Sequence, residues 1–548
     1  MDDIISLLKL EDSNLEVEGP VRDGNKQILT LFTKPQTRFC PKCGHIMHSR
    51  GTKIRTINHP IFQQSFQLVL HLKQRRWRCT NEDCKYDEAE EFNFVDKNCR
   101  NTRSTDLQIV NAFKNIRKTA TDIANEFHVS DTYALNVFNR FVNMERLPLG
   151  EAISVDEVYI DMAEDDCKYA LVIQDFVTGD VIDLVASRKT EFTMPYFNSI
   201  SREERANVKY LISDMYNEYI RYVDRFFPNA VSVVDSFHVI QWIRVELEQF
   251  IRDLQKSFER RDEEKQRRIP YDGFGRQTKI RESDEVYLLK NYRFFLLSND
   301  EDIYRHEESH MDRHFRYFMN TAEYERKFFE IDPRLSKLRI LRNSYVRFNK
   351  RNAGKPQKAF YEIEELIDEY RTCGDPIFER FSKLLTKYKQ PIINSFILFE
   401  RMGSNGDLVV SRLSNGPMEA TNRLIKDLRR NAHGFRSFKH LRNRFLYATR
   451  RDPVLNGRVL SKPKEERSLR FSGNVPKEKQ QELLHEMDLL KEKYPVMTNE
   501  ETLALKHWIS IGKSPFTNPD MICDEYGVIT DFITASRLLD EAFKDIQN

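Results

Sequence analysis

Hydrophobic and polar positions along the chain follow two different periods. Phe66, Leu68, Leu70 and Leu72 alternate with Gln67, Val69 and His71, which predicts a strand with one apolar face. Residues 104–146 carry helical spacing instead. Ile123 and Phe127 stand one turn apart, the pattern breaks at His128-Val129, and Val137, Phe138 and Phe141 resume it. Ser130 is placed to cap the second helix. His128 occupies the turn position, and His tolerates a left-handed conformation better than most residues do. This spacing predicts a helix-turn-helix; a two-helix hairpin with no DNA role gives the same pattern.

From Ala152 the texture changes to β-branched runs. "AISVDEVYI", "KYALVIQDF" and "DVIDLVASR" read as three successive strands, with Thr178-Gly179 marking the second turn. A helical piece at 192–200, a strand "VKYLISD", a helix ending near Pro228 and a strand "AVSVVDSF" follow. Three strands and then strand–helix–strand predict an α/β fold with a ribonuclease-H-like core. After His238 the pattern is helical and charged to about Arg401, which reads as an insertion. The expected division is a zinc-ribbon domain at 1–100, a helix-turn-helix at 101–150 and the first part of the core at 151–245. A helical insertion at 246–405, the second part of the core at 406–450, a linker at 451–478 and a C-terminal helical segment at 479–548 complete it. The first 35 residues are expected to form a short helix and an extended lead-in.

Composition narrows the class. The 548 residues are 40% hydrophobic and 31% charged, which suits several folded domains and not a disordered chain. No run approaches the ~18 apolar residues of a membrane span. The acidic start, MDDIISLLKLED, has no signal-peptide layout, so an intracellular, cytoplasmic protein is expected. Net charge is only +2, yet Arg423–Arg450 holds nine Lys/Arg against one Asp. Positive charge concentrated in this way suits a polyanionic partner.

Four of the eight cysteines form two pairs, Cys40/Cys43 and Cys79/Cys84, joined by strand-like sequence. Zinc takes four thiolates in a tetrahedron, and a Cys-x-x-Cys turn supplies two of them from one bend. Unrelated reduced cysteines are the competing reading, because the second pair is spaced at the edge of the usual range. Cys99, Cys167, Cys373 and Cys523 have no partner at ligand spacing and read as packing residues. Arg75, Arg76 and Arg78 beside Trp77 make a basic strand suited to phosphate contact, or else a solvated edge. On the second helix of the helix-turn-helix, Thr132, Asn136 and Arg140, with Asp131 and Asn139, would face DNA.

Carboxylates stand in or at the end of three of the predicted strand segments. Asp156 lies within an apolar run, Asp214 closes "VKYLISD" and Asp235 closes "VSVVD". Each alone could be a strand-end cap or an ion-pair partner. Together they suit magnesium or manganese, hard cations held by few carboxylates plus substrate phosphate. Gly416-Pro417 predicts a helix start, which places Glu419 in the first turn, where the helix dipole favours it. Asn422, Lys426 and Arg430 recur along the same flank beside Arg429. A capped helix with a solvated basic face is the plainer account.

"SVDEVYI", "ISDMYNEYI", "VVDSFHVI" and "SNGPMEATNRLIKDLRRNAHGFRSF" resemble the DDE transposases of the ISL-three family of bacterial insertion sequences. The resemblance runs from about Cys40 to Tyr447. It departs at Ala420, where glycine is usual, and at Phe435, where tyrosine is frequent. It implies a catalytic triad of Asp156, Asp214 and Glu419 holding two Mg2+ (or Mn2+) ions, with Asp235, beside His238, as the alternative second ligand. It implies structural Zn2+ on Cys40, Cys43, Cys79 and Cys84. Double-stranded DNA would be the partner, as the element's terminal inverted repeats and as target, gripped by Asn422, Lys426, Arg429, Arg430 and Arg436. Water and then a DNA 3′-hydroxyl would be the nucleophiles, with no covalent protein–DNA intermediate. Acting on two ends implies a homodimer, and a bacterial source places it on the nucleoid. The rival is a catalytically inactive regulator that binds DNA through the zinc ribbon and helix-turn-helix.

Overall fold

The stretch at Phe66–Leu72 folds into β5 (Gln67–Cys79), where Leu68, Leu70 and Leu72 are buried as the alternation predicts. The computed structural model describes residues 8, 10, 12, 14–60, 66–162, 167–271, 274–403, 405–450, 453, 469–493 and 499–514. β5 pairs with β4 (Ile46–Asn58) in an antiparallel hairpin whose far end carries the cysteines. The expected extended lead-in is itself a hairpin, β1 (Leu15–Asp23) and β2 (Lys26–Thr33), and β2 joins β5 in parallel. The short helix expected before it lies outside the described residues. With β3 (Arg38–Phe39) and β6 (Asp87–Ala89) the sheet has six strands, ordered β1-β2-β5-β4-β3, with β6 on β5. Leu29, Leu31, Ile57 and Leu70 pack with Phe92, Phe94 and Val95 beneath it. The cysteine ribbon is therefore one end of a larger sheet with its own core.

Three helices follow, α1 (Arg103–Ala112), α2 (Ala120–Phe127) and α3 (Asp131–Phe141). His128 ends α2 at φ 51°, ψ 44°, the left-handed turn expected of it. Ser130 caps α3, accepting from the Tyr133 N–H at 3.2 Å. Ile123, Phe127, Val137 and Phe138 close on Ile109 and Val110 of α1 and on Phe113, which caps it.

The central sheet contains β7 (Ala152–Met162), β8 (Cys167–Asp175), β9 (Val181–Val185), β10 (Tyr210–Ser213) and β11 (Val231–Val234). Its order is β11-β10-β7-β8-β9. β7, β8 and β9 form an antiparallel meander, and β10 and β11 run parallel to β7. α4 (Thr190–Asn198), α5 (Arg202–Ala206) and α6 (Asn217–Phe226) follow the meander. Phe197, Tyr219, Tyr222 and Phe226 cover the face bearing Ile153 and Val155.

α7 (Ser236–Arg267) opens a block of helices. It packs with α8 (Asp284–Asn291), α9 (Phe294–Leu297), α10 (Thr321–Glu330), α11 (Pro333–Arg351), α12 (Pro356–Thr372), α13 (Pro376–Lys387) and α14 (Lys389–Asn394) around a cluster including Ile243, Leu338, Tyr345 and Phe381. A two-stranded pair, β12 (His310–Met311) and β13 (Phe318–Met319), interrupts it. The helical reading to Arg401 needs correction: α14 ends at Asn394, and β14 (Leu398–Met402) and β15 (Leu408–Arg412) form a hairpin.

The chain then returns to the sheet as α15 (Gly416–Asn431) and α16 (Phe438–Thr449). Met418, Ile425, Leu441 and Phe445 bury Val158, Ile160, Ala170 and Val172 on the face opposite α6, together with α1–α3. Most of the expected linker, 451–452 and 454–468, lies outside the described residues, as does 515–548. Between them α17 (Lys477–Lys493) and α18 (Asn499–Ser510) make a small apolar cluster, and Lys506 reaches Glu400 of β14 at 2.9 Å. Cys99 and Cys373 are half-buried against apolar clusters, as packing residues should be; Cys523 and the Cys167 side chain lie outside the described residues. No helix among the described residues is long and apolar enough to cross a membrane.

Candidate active site and metal centre

Three carboxylates fall in line because three parallel strands share a register. β10 pairs with β7 through Ile212 and Ser154, and with β11 through Ser213 and Val234. Continued past the strand ends, that register sets Asp214 beside Asp156 on one side and Asp235 on the other. Asp156 is half-buried; its Oδ1 accepts the Glu157 N–H at 2.8 Å. Burial pushes its carboxyl up to about 6, and the nearby negative charges of Asp214 and Glu157 add to the rise while His238 opposes it. Asp214 Oδ1 accepts the Tyr216 N–H at 2.9 Å. His238 turns a buried Nε2 with no hydrogen-bond partner into the same region.

α15 is seated on this edge by polar contacts as well as by its apolar face. Pro417 stands in its first turn, where the missing N–H costs nothing. Met418, Thr421, Asn422, Ile425 and Leu428 are buried. The Asn422 amide donates to Asp156 Oδ2 at 2.8 Å, and Gln174 donates to the Thr421 hydroxyl at 3.1 Å. Glu419 is exposed one turn ahead of Asn422, so it opens on the flank of α15 that borders Asp156. Lys426 continues that flank, exposed. Arg430 pairs with Asp427 at 2.9 Å, and Arg429 donates to the Tyr159 carbonyl at 3.1 Å.

Asp235 has a different position from the other two. It is 2% exposed; Oδ1 accepts the Phe237 N–H at 3.0 Å, capping α7, and Oδ2 accepts the Asn415 N–H at 2.8 Å. It thus ties the start of α7 to the start of α15. Asn415 is fully buried, and both its amide atoms lack partners. Among the described residues no ion pair engages Asp156, Asp214 or Glu419. Nor do their oxygens gather within 4.8 Å as a threesome; among the described residues only the four cysteines do so.

The basic residues divide into engaged and open groups. Arg75 donates to the Thr33 carbonyl at 2.8 Å, Arg76 pairs with Asp87 at 2.8 Å, and Arg78 stands opposite Asp87 in the β5–β6 pairing. Arg140 pairs with Asp106, which also accepts the Tyr133 hydroxyl at 2.7 Å, so its guanidinium binds α3 to α1. Thr132 and Asn136 are exposed on α3 as expected. A groove of about 730 Å³ separates α2 and α3 from the turn at His433 and Gly434, and exposed Arg436 lines it with Thr119 and Asn139. The φ values of 52° and 101° at His433 and Gly434 make that turn.

The helix-turn-helix is fastened to the core by residues that the basic run concealed. Arg444, 3% exposed, donates to the carbonyls of Phe113, Asn115 and Lys118. Arg442 donates to the Met144 carbonyl at 2.7 Å, and Arg450 to the Glu145 and Ile182 carbonyls at 2.6 and 2.8 Å. The signal available in the sequence was the company of Arg444, which lies three residues from Leu441 and next to Phe445, on the side of α16 that must be buried.

At the end of the β4–β5 hairpin the four predicted cysteines converge. Cys40 Sγ lies 3.7 Å from Cys84 Sγ, Cys43 Sγ lies 3.4 Å from Cys79 Sγ, and all four are within 4.8 Å of one another. A Zn–S bond of ~2.3 Å sets tetrahedral sulfurs ~3.8 Å apart, so the donor set and spacing fit zinc. Trp77 and Met47 pack behind the cluster.

Residues 153–445, from the first strand of the central sheet to α16, match a family model of DDE transposases of the ISL-three type, described as a transposase. No curated protein matches the chain.

Proposed function

Because the chain belongs to the ISL-three family of DDE transposases, a family of DNA-cleaving and DNA-joining enzymes that use divalent metal, we propose that Asp156, Asp214 and Glu419 form its catalytic centre. The central sheet would then be a ribonuclease-H-like core, a reading supported by its antiparallel meander followed by two parallel strands. The observation that carries the proposal is the strand register, which lines up Asp156 and Asp214, together with the Asn422–Asp156 hydrogen bond that brings the Glu419 helix to them.

The residues suit magnesium or manganese. Asp156 is half-buried beside a second carboxylate, with no cation paired to it, so ionising it is costly until a positive charge arrives. Asp156, Asp214 and Glu419 would hold the ions, whose chemistry when bound is to sharpen the attacking oxygen and stabilise the leaving one. Asn422 orients Asp156, and Asp235 fixes where α15 begins. Lys426, with Arg423 exposed beside it, would grip phosphates, which supplies affinity without sequence choice. Thr132 and Asn136 on α3 would read base edges of the element's inverted repeats. The cysteine cluster would hold a structural zinc.

The test is cleavage of duplexes carrying the element's ends by the purified chain with Mg2+ or Mn2+. Cleavage is expected for the native sequence and lost in Asp156→Asn, Asp214→Asn and Glu419→Gln, each still binding the duplex. Undiminished cleavage by any of the three removes that residue from the centre. Tight binding with no cleavage by the native chain would favour the regulator.

A further inference from the structure

Beside the carboxylate edge, three water-facing tyrosines and two arginines form a continuous file. The Arg188 guanidinium lies between the rings of Tyr216 and Tyr169, 5.4 and 4.8 Å from their centroids. Tyr169 meets Tyr159 edge-on at 5.4 Å, across the β7–β8 pairing in which the two residues stand opposite. Arg429 closes the file 5.9 Å from the Tyr159 ring. The file touches Asp214 directly and is carried on the elements that hold the other two proposed ligands. Tyr216 donates its N–H to Asp214, Tyr159 lies three residues beyond Asp156 on β7, and Arg429 is carried on the helix of Glu419.

We propose that this file, Tyr216–Arg188–Tyr169–Tyr159–Arg429, is a stacking platform for the bases of an unpaired DNA strand entering the cleavage site. The inference rests on the catalytic reading above and gives that site a further substrate feature. Tyr159, Tyr169 and Tyr216 are 43%, 37% and 40% exposed, so their rings keep free surface without having to be uncovered. The platform is also pre-organised. Glu157 holds Arg188 and is itself held by the Tyr219 hydroxyl, while Asp161 takes the Tyr159 hydroxyl. Little side-chain freedom therefore remains to be lost on binding.

Alternating aromatic faces and guanidinium planes match unpaired bases, which offer a π-face to each, whatever the sequence. A duplex hides those faces and presents phosphates and groove edges, which a tyrosine ring contacts poorly. Every member of the file is aromatic or cationic, so each can meet a base face or a phosphate. Lys426 and Arg423 on the adjacent flank of α15 are exposed to meet the phosphates of the same strand.

The test uses the full chain with Asp156→Asn as background, so that binding is read without cleavage. Fluorescence anisotropy compares a labelled single strand of about 12 nucleotides, within the span such platforms cover, with the duplex of the same sequence. Tyr169→Ala and Tyr216→Ala are each expected to weaken the single strand about tenfold, with the duplex changed less than about twofold. Tyr169→Phe and Tyr216→Phe should restore affinity, and circular dichroism with thermal melts checks that the alanine variants fold. A 2-aminopurine in the single strand should be quenched on binding, and less so in the alanine variants. Equal losses for single strand and duplex would reduce the file to a phosphate grip, and no loss in either would remove it from DNA binding. Both results are independent of whether Asp214→Asn abolishes cleavage, so this proposal and the catalytic one fail separately.

Discussion

The side-chain amide of Asn422 donates to the carboxylate of Asp156 at 2.8 Å, joining residues 266 positions apart. Asn422 is 7% exposed, so the bond is shielded, and a hydrogen bond to a charged group is worth ~1.5–3 kcal/mol. Asn422→Ala should leave duplex binding within about twofold and slow single-turnover cleavage by roughly ten- to a hundredfold. Unchanged cleavage would mean that α15 is held by its apolar face alone and that the bond does not orient the carboxylate.

The raised carboxyl of Asp156 makes a prediction about stability. An ordinary aspartate ionises near 3.9, and here burial holds the folded group at about 6. Between those values the folded chain keeps a proton that the unfolded chain releases. Stability without divalent ions should therefore fall as pH rises through about 4 to 6 and stay lower above it, by up to ~3 kcal/mol. Asp156→Asn cannot ionise, so urea melts should find it more stable than the native chain at about pH 7 and equal to it near pH 4. Magnesium should stabilise the native chain increasingly as pH rises through about 6 and leave the variant unmoved. A pH-independent difference between the two would contradict the burial argument.

Much of this arrangement could be read from the sequence, and the reasons for the rest are physical. Continuous β-branched runs placed β7–β11, because strands buried on both faces stay apolar along their length, and Asp214 and Asp235 stand where two of those runs end. His128, Ser130 and the cysteine spacing were legible because a left-handed turn, a cap and a knuckle are each set by local chemistry. The basic run at 423–450 was not separable by charge alone. Lys426 and Arg423 face solvent, whereas Arg444 and Arg450 are buried donors to backbone carbonyls, and only the apolar neighbours differ. The hairpin at 398–412 follows a long helical stretch whose texture masks it. The tyrosine file joins three separate segments, so no local pattern reveals it.

Zinc should act on the N-terminal sheet and leave the core intact. The cysteines close the far end of β4–β5, while the core sheet has separate apolar clusters. Cys40→Ser is expected to lower bound zinc from about one to near zero per chain by elemental analysis. It should also expose the β4–β5 hairpin to proteolysis while the thermal transition of the central sheet stays in place. Full zinc retention would mean that the fourth thiolate is not needed. Loss of the whole fold would mean that the two sheets are not independent.

Arg444 offers the sharpest test of how the helix-turn-helix is mounted. Its guanidinium satisfies the carbonyls of Phe113, Asn115 and Lys118, which end α1 and lead into α2, and burial lowers its own affinity for a proton to about 10. Arg444→Met keeps an apolar stem but strands the Phe113 and Lys118 carbonyls, each costing ~1–3 kcal/mol when buried unpaired, while the Asn115 carbonyl keeps the Lys118 N–H. Hydrogen exchange should therefore quicken across residues 113–120, with the rest of the core protected as before. End-duplex affinity should fall because α3 is no longer held at a fixed distance from the carboxylates, although the substituted side chain is itself buried away from any DNA. Non-specific duplex binding, which the exposed cations of α15 can supply, should change little. A loss of end binding without faster exchange would instead make Arg444 a direct DNA contact, which its 3% exposure argues against.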